Sequence, residues 1–133
     1  MDSINWLAVI AAALANFLIG GLWYSPLLFQ KAWMRANGFT EEDVGKGNPA
    51  MIFGVSALFS LIMAANLAAF VSFEGVTLGF AVGAALAAGL GWAALGLGIV
   101  ALFERRSWSY ILINGGYLTV AFLVMGLILG LWR

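Results

Sequence analysis

Long apolar runs separated by short polar breaks are the dominant pattern of this chain. Four runs exceed the roughly 18 apolar residues that a helix needs to cross bilayer hydrocarbon. They cover about residues 4–24, 50–73, 76–103 and 108–132. Water is absent from that hydrocarbon, so each run must satisfy its own backbone amides, and only a helix does so within one segment. The alternation of polar and apolar residues that a membrane β-barrel requires is missing. The pattern therefore predicts an all-α integral membrane fold, an antiparallel bundle of four transmembrane helices forming one domain over residues 1–133. A cleaved signal peptide has a basic leader and a shorter apolar core. Only Asp2 carries charge ahead of the first run, so that run is expected to stay as an anchor.

The break at 26–48 has a pattern of its own. Trp23 and Tyr24 close the first run at the level where amphipathic rings are favoured. Pro26 lacks an amide hydrogen and disfavours helix at Ser25. This predicts a break, with Ser25 as cap and Pro26 as first residue of a new helix. Helical spacing then puts Phe29, Ala32, Trp33 and Ala36 on one side, and Lys31 and Arg35 on the other. That is the pattern of a short amphipathic helix lying in the headgroup layer; the plainer alternative is a loop anchored by the Trp33 ring. Trp23, Tyr24, Phe29, Lys31, Trp33 and Arg35 are thus the expected membrane-interface residues. Gly38 suits a helix stop. Thr40 and Asp43 have capping-box spacing, Phe39 and Val44 staple spacing, and Gly45 and Gly47 limit the helix to about a turn. Asn48-Pro49 reads as the cap and first residue of the second span.

Composition agrees with the pattern. The chain is 64% hydrophobic and 9% charged, against about 25% charged in soluble domains. Too little polar surface exists to cover a globule, so the lipid bilayer is the first expected partner. Lys31, Arg35, Lys46, Arg105 and Arg106 all lie in the two loops of one side, and Arg133 stands alone on the other. The basic loops are therefore expected in the cytoplasm, with both termini outside a bacterial inner membrane. Cys and His are absent, which removes thiolate nucleophiles, imidazole bases and the commonest transition-metal ligands. No catalytic residue, metal or cofactor is expected. Glu41, Glu42 and Asp43 point in different directions on a helix and read as a solvated cap. A net charge of zero without a large basic patch gives no signature of a nucleic-acid partner.

Small residues recur at four-residue spacing in three runs: Ser56, Ser60, Ala64, Ala68; Gly79, Gly83, Ala87, Gly91; and Gly126, Gly130. Helices in lipid gain little from hydrophobicity and associate through such close faces. The stripes serve either packing within one chain or a homo-oligomer, with Gly79, Gly83, Ala87 and Gly91 as the candidate interface.

No ionisable residue lies deep in a run, which argues against a proton relay. Counting about 1.5 Å per residue from the basic loops places Asn16, Asn114, Tyr117 and Trp92 in one layer, with Asn66 nearer the outer side. Gly115 and Gly116 after Asn114 permit close approach by a backbone or a ligand. Two readings follow: hydrogen bonds that join Asn16 and Asn114 to each other or to a carbonyl, or a ligand-binding pocket of Asn16, Asn114, Tyr117 and Trp92 for a neutral or weakly polar molecule. The expected function is a non-enzymatic interaction or small-molecule-binding membrane protein; the alternative is a subunit of a small oligomeric transporter or channel.

Residues Asn5 to Trp33, "NWLAVIAAALANFLIGGLWYSPLLFQKAW", and Gly38 to Val44, "GFTEEDV", followed by Asn-Pro, resemble a family of small bacterial membrane proteins, domain of unknown function 1761. The most specific part is Gly21-x-Trp23-Tyr24-Ser25-Pro26-x-x-Phe29-x-Lys31-x-Trp33. The resemblance implies four spans. It brings no activity and no catalytic residue.

Overall fold

The structure is a computed structural model that describes residues 4–132. It contains α1 (Trp6–Trp23), α2 (Gln30–Asn37), α3 (Glu41–Val44), α4 (Pro49–Val71), α5 (Leu78–Phe103) and α6 (Trp108–Leu131). The helices α1, α4, α5 and α6 are each long and apolar enough to cross a membrane. Arg133, expected as the lone outer-side cation, lies outside the described residues.

Each long helix begins on a polar side chain that takes up its first amides. The Asn5 carbonyl oxygen accepts from the amides of Leu7 and Ala8, that of Asn48 from Met51. The hydroxyl oxygens of Thr77 and Ser107 accept from Phe80 and Tyr110. Orphan amides near hydrocarbon cannot turn to water, so such caps fix where these helices start. Asn48-Pro49 holds the cap and first position that the sequence predicts.

The helix α6 sits at the centre, against α1 on one side and α5 on the other. Helix α4 packs mainly on α1 and only lightly on α5 and α6. The short turn after Val71 predicts that α4 and α5 are close neighbours; they splay apart beyond it. A turn fixes only the ends of two helices; Ala64, Leu67, Ala68 and Val71 of α4 join Ala8, Val9, Ala12 and Ala13 of α1 in a core that also takes in Ala81 and Ala85 of α5.

The contact between α5 and α6 uses small residues, but not the predicted ones of α5. Gly79, Gly83, Ala87 and Gly91 are exposed. Ala81, Ala85 and Gly89 are buried, followed by Ala94, Gly98 and Ala101. The reason is a π-helical stretch at Ala87–Ala94. It adds one residue to a turn, so the buried face steps from Gly89 to Ala94 and leaves the α-helical register. On α6 the predicted pair is used: a methyl group at Gly126 would sit 2.5 Å from Ala85 Cβ, and one at Gly130 3.0 Å from Ala81 Cβ.

Candidate functional site: a cleft between α1 and α4

Helix α1 stops at Trp23, as Pro26 requires, but the chain turns before it becomes helical again. The Phe29 amide donates to the Trp23 carbonyl at 3.0 Å and the Gln30 amide to the Ser25 carbonyl at 3.2 Å. The new helix therefore begins at Gln30, with no side-chain cap, and not at Pro26. Ser25 Oγ accepts from the Leu27 amide at 3.3 Å while its hydroxyl donates back to the Leu22 carbonyl at 2.6 Å, but residues 26–29 form turns and no helix follows it directly. The amphipathic helix itself is present: Lys31 and Arg35 are exposed, whereas Ala32, Trp33 and Ala36 are half-buried. Gly38 ends it in the left-handed region, φ +69°. The Trp33 ring rests against Tyr24 at 5.9 Å and Phe39 at 5.4 Å between centroids. The Thr40–Asp43 capping box then forms and closes the four-residue α3.

Trp23 and Tyr24 both bond to α6. The indole Nε1 of Trp23 donates to the Ile113 carbonyl at 2.8 Å, and the Tyr24 hydroxyl donates to Asn114 Oδ1. Their polar ends are spent on α6. Phe29 lies against the Trp23 ring, centroids 4.7 Å apart.

The expected polar layer divides into two hydrogen-bonded groups. Asn114 pairs with Tyr24 and donates from Nδ2 to the Tyr110 carbonyl at 3.0 Å. Asn16, almost wholly buried, donates from Nδ2 to Ser60 Oγ at 2.7 Å and accepts at Oδ1 from the Tyr117 hydroxyl at 3.0 Å. Asn16 and Asn114 thus bond to tyrosines, not to each other. Trp92 belongs to neither group and is 81% exposed. It lies about three turns on from the buried Ala81, a separation that would bring it to the bundle face in a straight α-helix; the π turn rotates it outward. Asn66 is exposed as well. Ser60 is the partner that depth counting did not single out. Its place in the small-residue stripe of α4 was the available signal.

Asn16, Ser60 and Tyr117 floor a cleft of about 740 Å³ between α1 and the first half of α4, roofed by the Val44–Gly47 segment. The cleft exists because burial on α4 starts only at Ser60; residues 51–59 are all exposed. Phe17 and Phe53 meet edge to face across it, centroids 6.1 Å apart. Its walls carry six aromatic residues, among them Trp33 and Phe59, and no Asp, Glu, Lys or Arg among the described residues. Asn114 and Trp92 do not line it.

The arrangement is an apolar chamber with a small polar floor, and it offers hydrogen bonds without charge. Residues 7–130 match the model of the family described as "Protein of unknown function (DUF1761)". The chain belongs to the DUF1761 family. No curated protein and no solved structure matches it. The family assignment agrees with the four spans and leaves the DUF1761 cleft to be interpreted from its own chemistry.

Proposed function

We propose that this DUF1761 protein is a multi-pass protein of the bacterial inner membrane that binds an uncharged or weakly polar small molecule in the α1–α4 cleft and performs no chemistry on it. The cleft carries this reading. Its volume falls within the range of small-molecule sites, and its apolar walls with a few convergent polar groups have the usual make-up of one. The floor lies about 10 Å along α1 from Trp23 and about 16 Å along α4 from Pro49, near the middle of a hydrocarbon layer some 30 Å thick. Polar groups at that depth are costly unless they have a task. Beyond the floor the core of Ala8, Val9, Ala12 and Val71 is buried and apolar. Binding from one side therefore fits better than conduction, which needs a polar path on both sides of the floor. By the distribution of cations the cleft opens towards the cytoplasmic half of the membrane.

The test fills the cleft. Ser56 lines it and is exposed, so Ser56→Trp should occupy the space without disturbing the buried half of α4. Solvent extracts of the purified wild-type protein should contain a small molecule that is absent from equal amounts of the variant. Identical extracts from the two proteins would end this reading.

A further inference from the structure

The floor of the cleft has a hydrogen-bond count that identifies what it can hold. The Tyr117 hydroxyl hydrogen goes to Asn16 Oδ1, and one Asn16 Nδ2 hydrogen goes to Ser60 Oγ. Among the described residues Ser60 makes no further hydrogen bond, so its own hydroxyl hydrogen is left over, as is the second Nδ2 hydrogen of Asn16, although Ser60 is only 3% exposed. If the Asn16 amide is turned over, the chain reverses: Ser60 donates to the amide oxygen, and the Tyr117 hydrogen keeps only the Asn16 backbone carbonyl, a long contact at 3.5 Å. Both ends line the cleft. A buried donor without an acceptor is expensive, and a hydroxyl in a helix often relieves itself on the carbonyl four residues back. Thr119 does this here, donating to Gly115. Ser60 does not.

We propose that the cleft takes a bilayer-dissolved, uncharged molecule carrying a carbonyl-type oxygen, which accepts the leftover hydrogen at the Asn16–Ser60–Tyr117 floor. This rests on the cleft being a binding site and adds the class of ligand. Among the described residues no Asp, Glu, Lys or Arg lines the walls to balance a charge. A phospholipid would leave its headgroup at the membrane surface, far above the floor, whereas a molecule soluble in hydrocarbon can bring one oxygen down to it. The exposed half of α4 leaves the side of the cleft open to such a molecule.

The experiment uses the full chain in phosphatidylcholine vesicles with a para-octyl benzophenone as photolabel, its attachment read on α1 and α4 peptides. Two competitors are compared: the unlabelled ketone, and the para-octyl diphenylmethane that has the same rings and tail without the oxygen. In the wild-type protein the ketone should displace the label at about tenfold lower membrane concentration, the effect of one good hydrogen bond. The combined variant Asn16→Leu, Ser60→Ala, Tyr117→Phe should lose that preference. Equal competition by the two compounds in the wild-type protein overturns the proposal, and this arm requires no variant to fold. A preference that survives in the combined variant overturns it as well. Ser56→Trp separates the two levels: if it abolishes labelling while the competitors are equal, the cleft binds but does not select an acceptor. If it labels like the wild type, the binding site itself falls.

Discussion

The indole nitrogen of Trp23 donates to the backbone carbonyl of Ile113 at 2.8 Å, so the last residue of α1 is tied to the backbone of the central helix α6. Gly116 makes this possible, since a methyl group there would stand 3.1 Å from the indole ring. The reverse contact lies nearby: a methyl at Gly20 would stand 3.3 Å from the Tyr117 ring. Each helix thus lays an aromatic ring over a glycine of the other. Trp23→Phe should cost about 1 kcal/mol by removing one hydrogen bond, and Gly116→Ala should cost a similar amount by displacing the ring. Gly21→Ala, with nothing within 4 Å, should stay within about 0.5 kcal/mol. Reversible unfolding in mixed micelles measures all three.

The α5–α6 contact makes a sharper contrast. Gly126→Ala places a carbon 2.5 Å from Ala85 Cβ and 3.2 Å from the Ala81 carbonyl oxygen, where neither helix can yield without moving. A loss of about 1–3 kcal/mol is expected. Gly83 belongs to the predicted stripe yet has nothing within 4 Å, so Gly83→Ala should be neutral or slightly stabilising in monomeric protein.

Double-mutant cycles should separate the two polar groups. Asn16 and Ser60 share a hydrogen bond, so Asn16→Ala and Ser60→Ala should couple by about 0.5–1.5 kcal/mol. Asn16→Ala and Asn114→Ala should add within about 0.5 kcal/mol, because Asn114 bonds to Tyr24 and Tyr110.

The α3 cap should respond to acid. Asp43 accepts from the Thr40 amide at 2.9 Å and from its hydroxyl at 3.0 Å. These bonds, the backbone one first, hold its carboxyl below the ordinary aspartate value. A lowered value in the folded state means that the cap is fully effective above the ordinary value of about 4 and is lost as pH falls through the lower one. The Lys46 ammonium, 3.6 Å away and exposed, adds little. The Thr40 amide resonance should hold steady from neutral pH down and shift only below that range. In Asp43→Asn it should not titrate.

The threading makes a further demand. Single cysteines replacing Lys46 and Arg105 should both react with a membrane-impermeant thiol reagent only from the cytoplasmic side. Labelling from opposite sides is incompatible with four membrane-crossing helices.

Much of the fold is legible in the sequence because its determinants are local. Hydropathy over a run and a polar residue at its head set where a long helix begins, as Asn48-Pro49 shows. The same holds for the Thr40–Asp43 box and for the stop at Gly38. Half of the candidate site is legible too: depth counting finds Asn16 and Tyr117, because helical rise converts residue number into depth.

Rotation about each helix axis is a different matter. A helix that is apolar all round carries no amphipathic stripe to say which side faces inward, and lipid supplies no hydrophobic contrast to decide it. Local pattern therefore gives four apolar rods, their starts to within about two residues, and the short polar segments that join them. Packing in three dimensions is what aims Trp92 outward and Ala94 inward through a π turn, lets Ser60 complete the bond chain of Asn16, and leaves residues 51–59 of α4 exposed so that the cleft stays open. Those outcomes depend on close contacts between distant residues, Gly126 with Ala85 and Gly116 with Trp23 among them, and no local pattern records them.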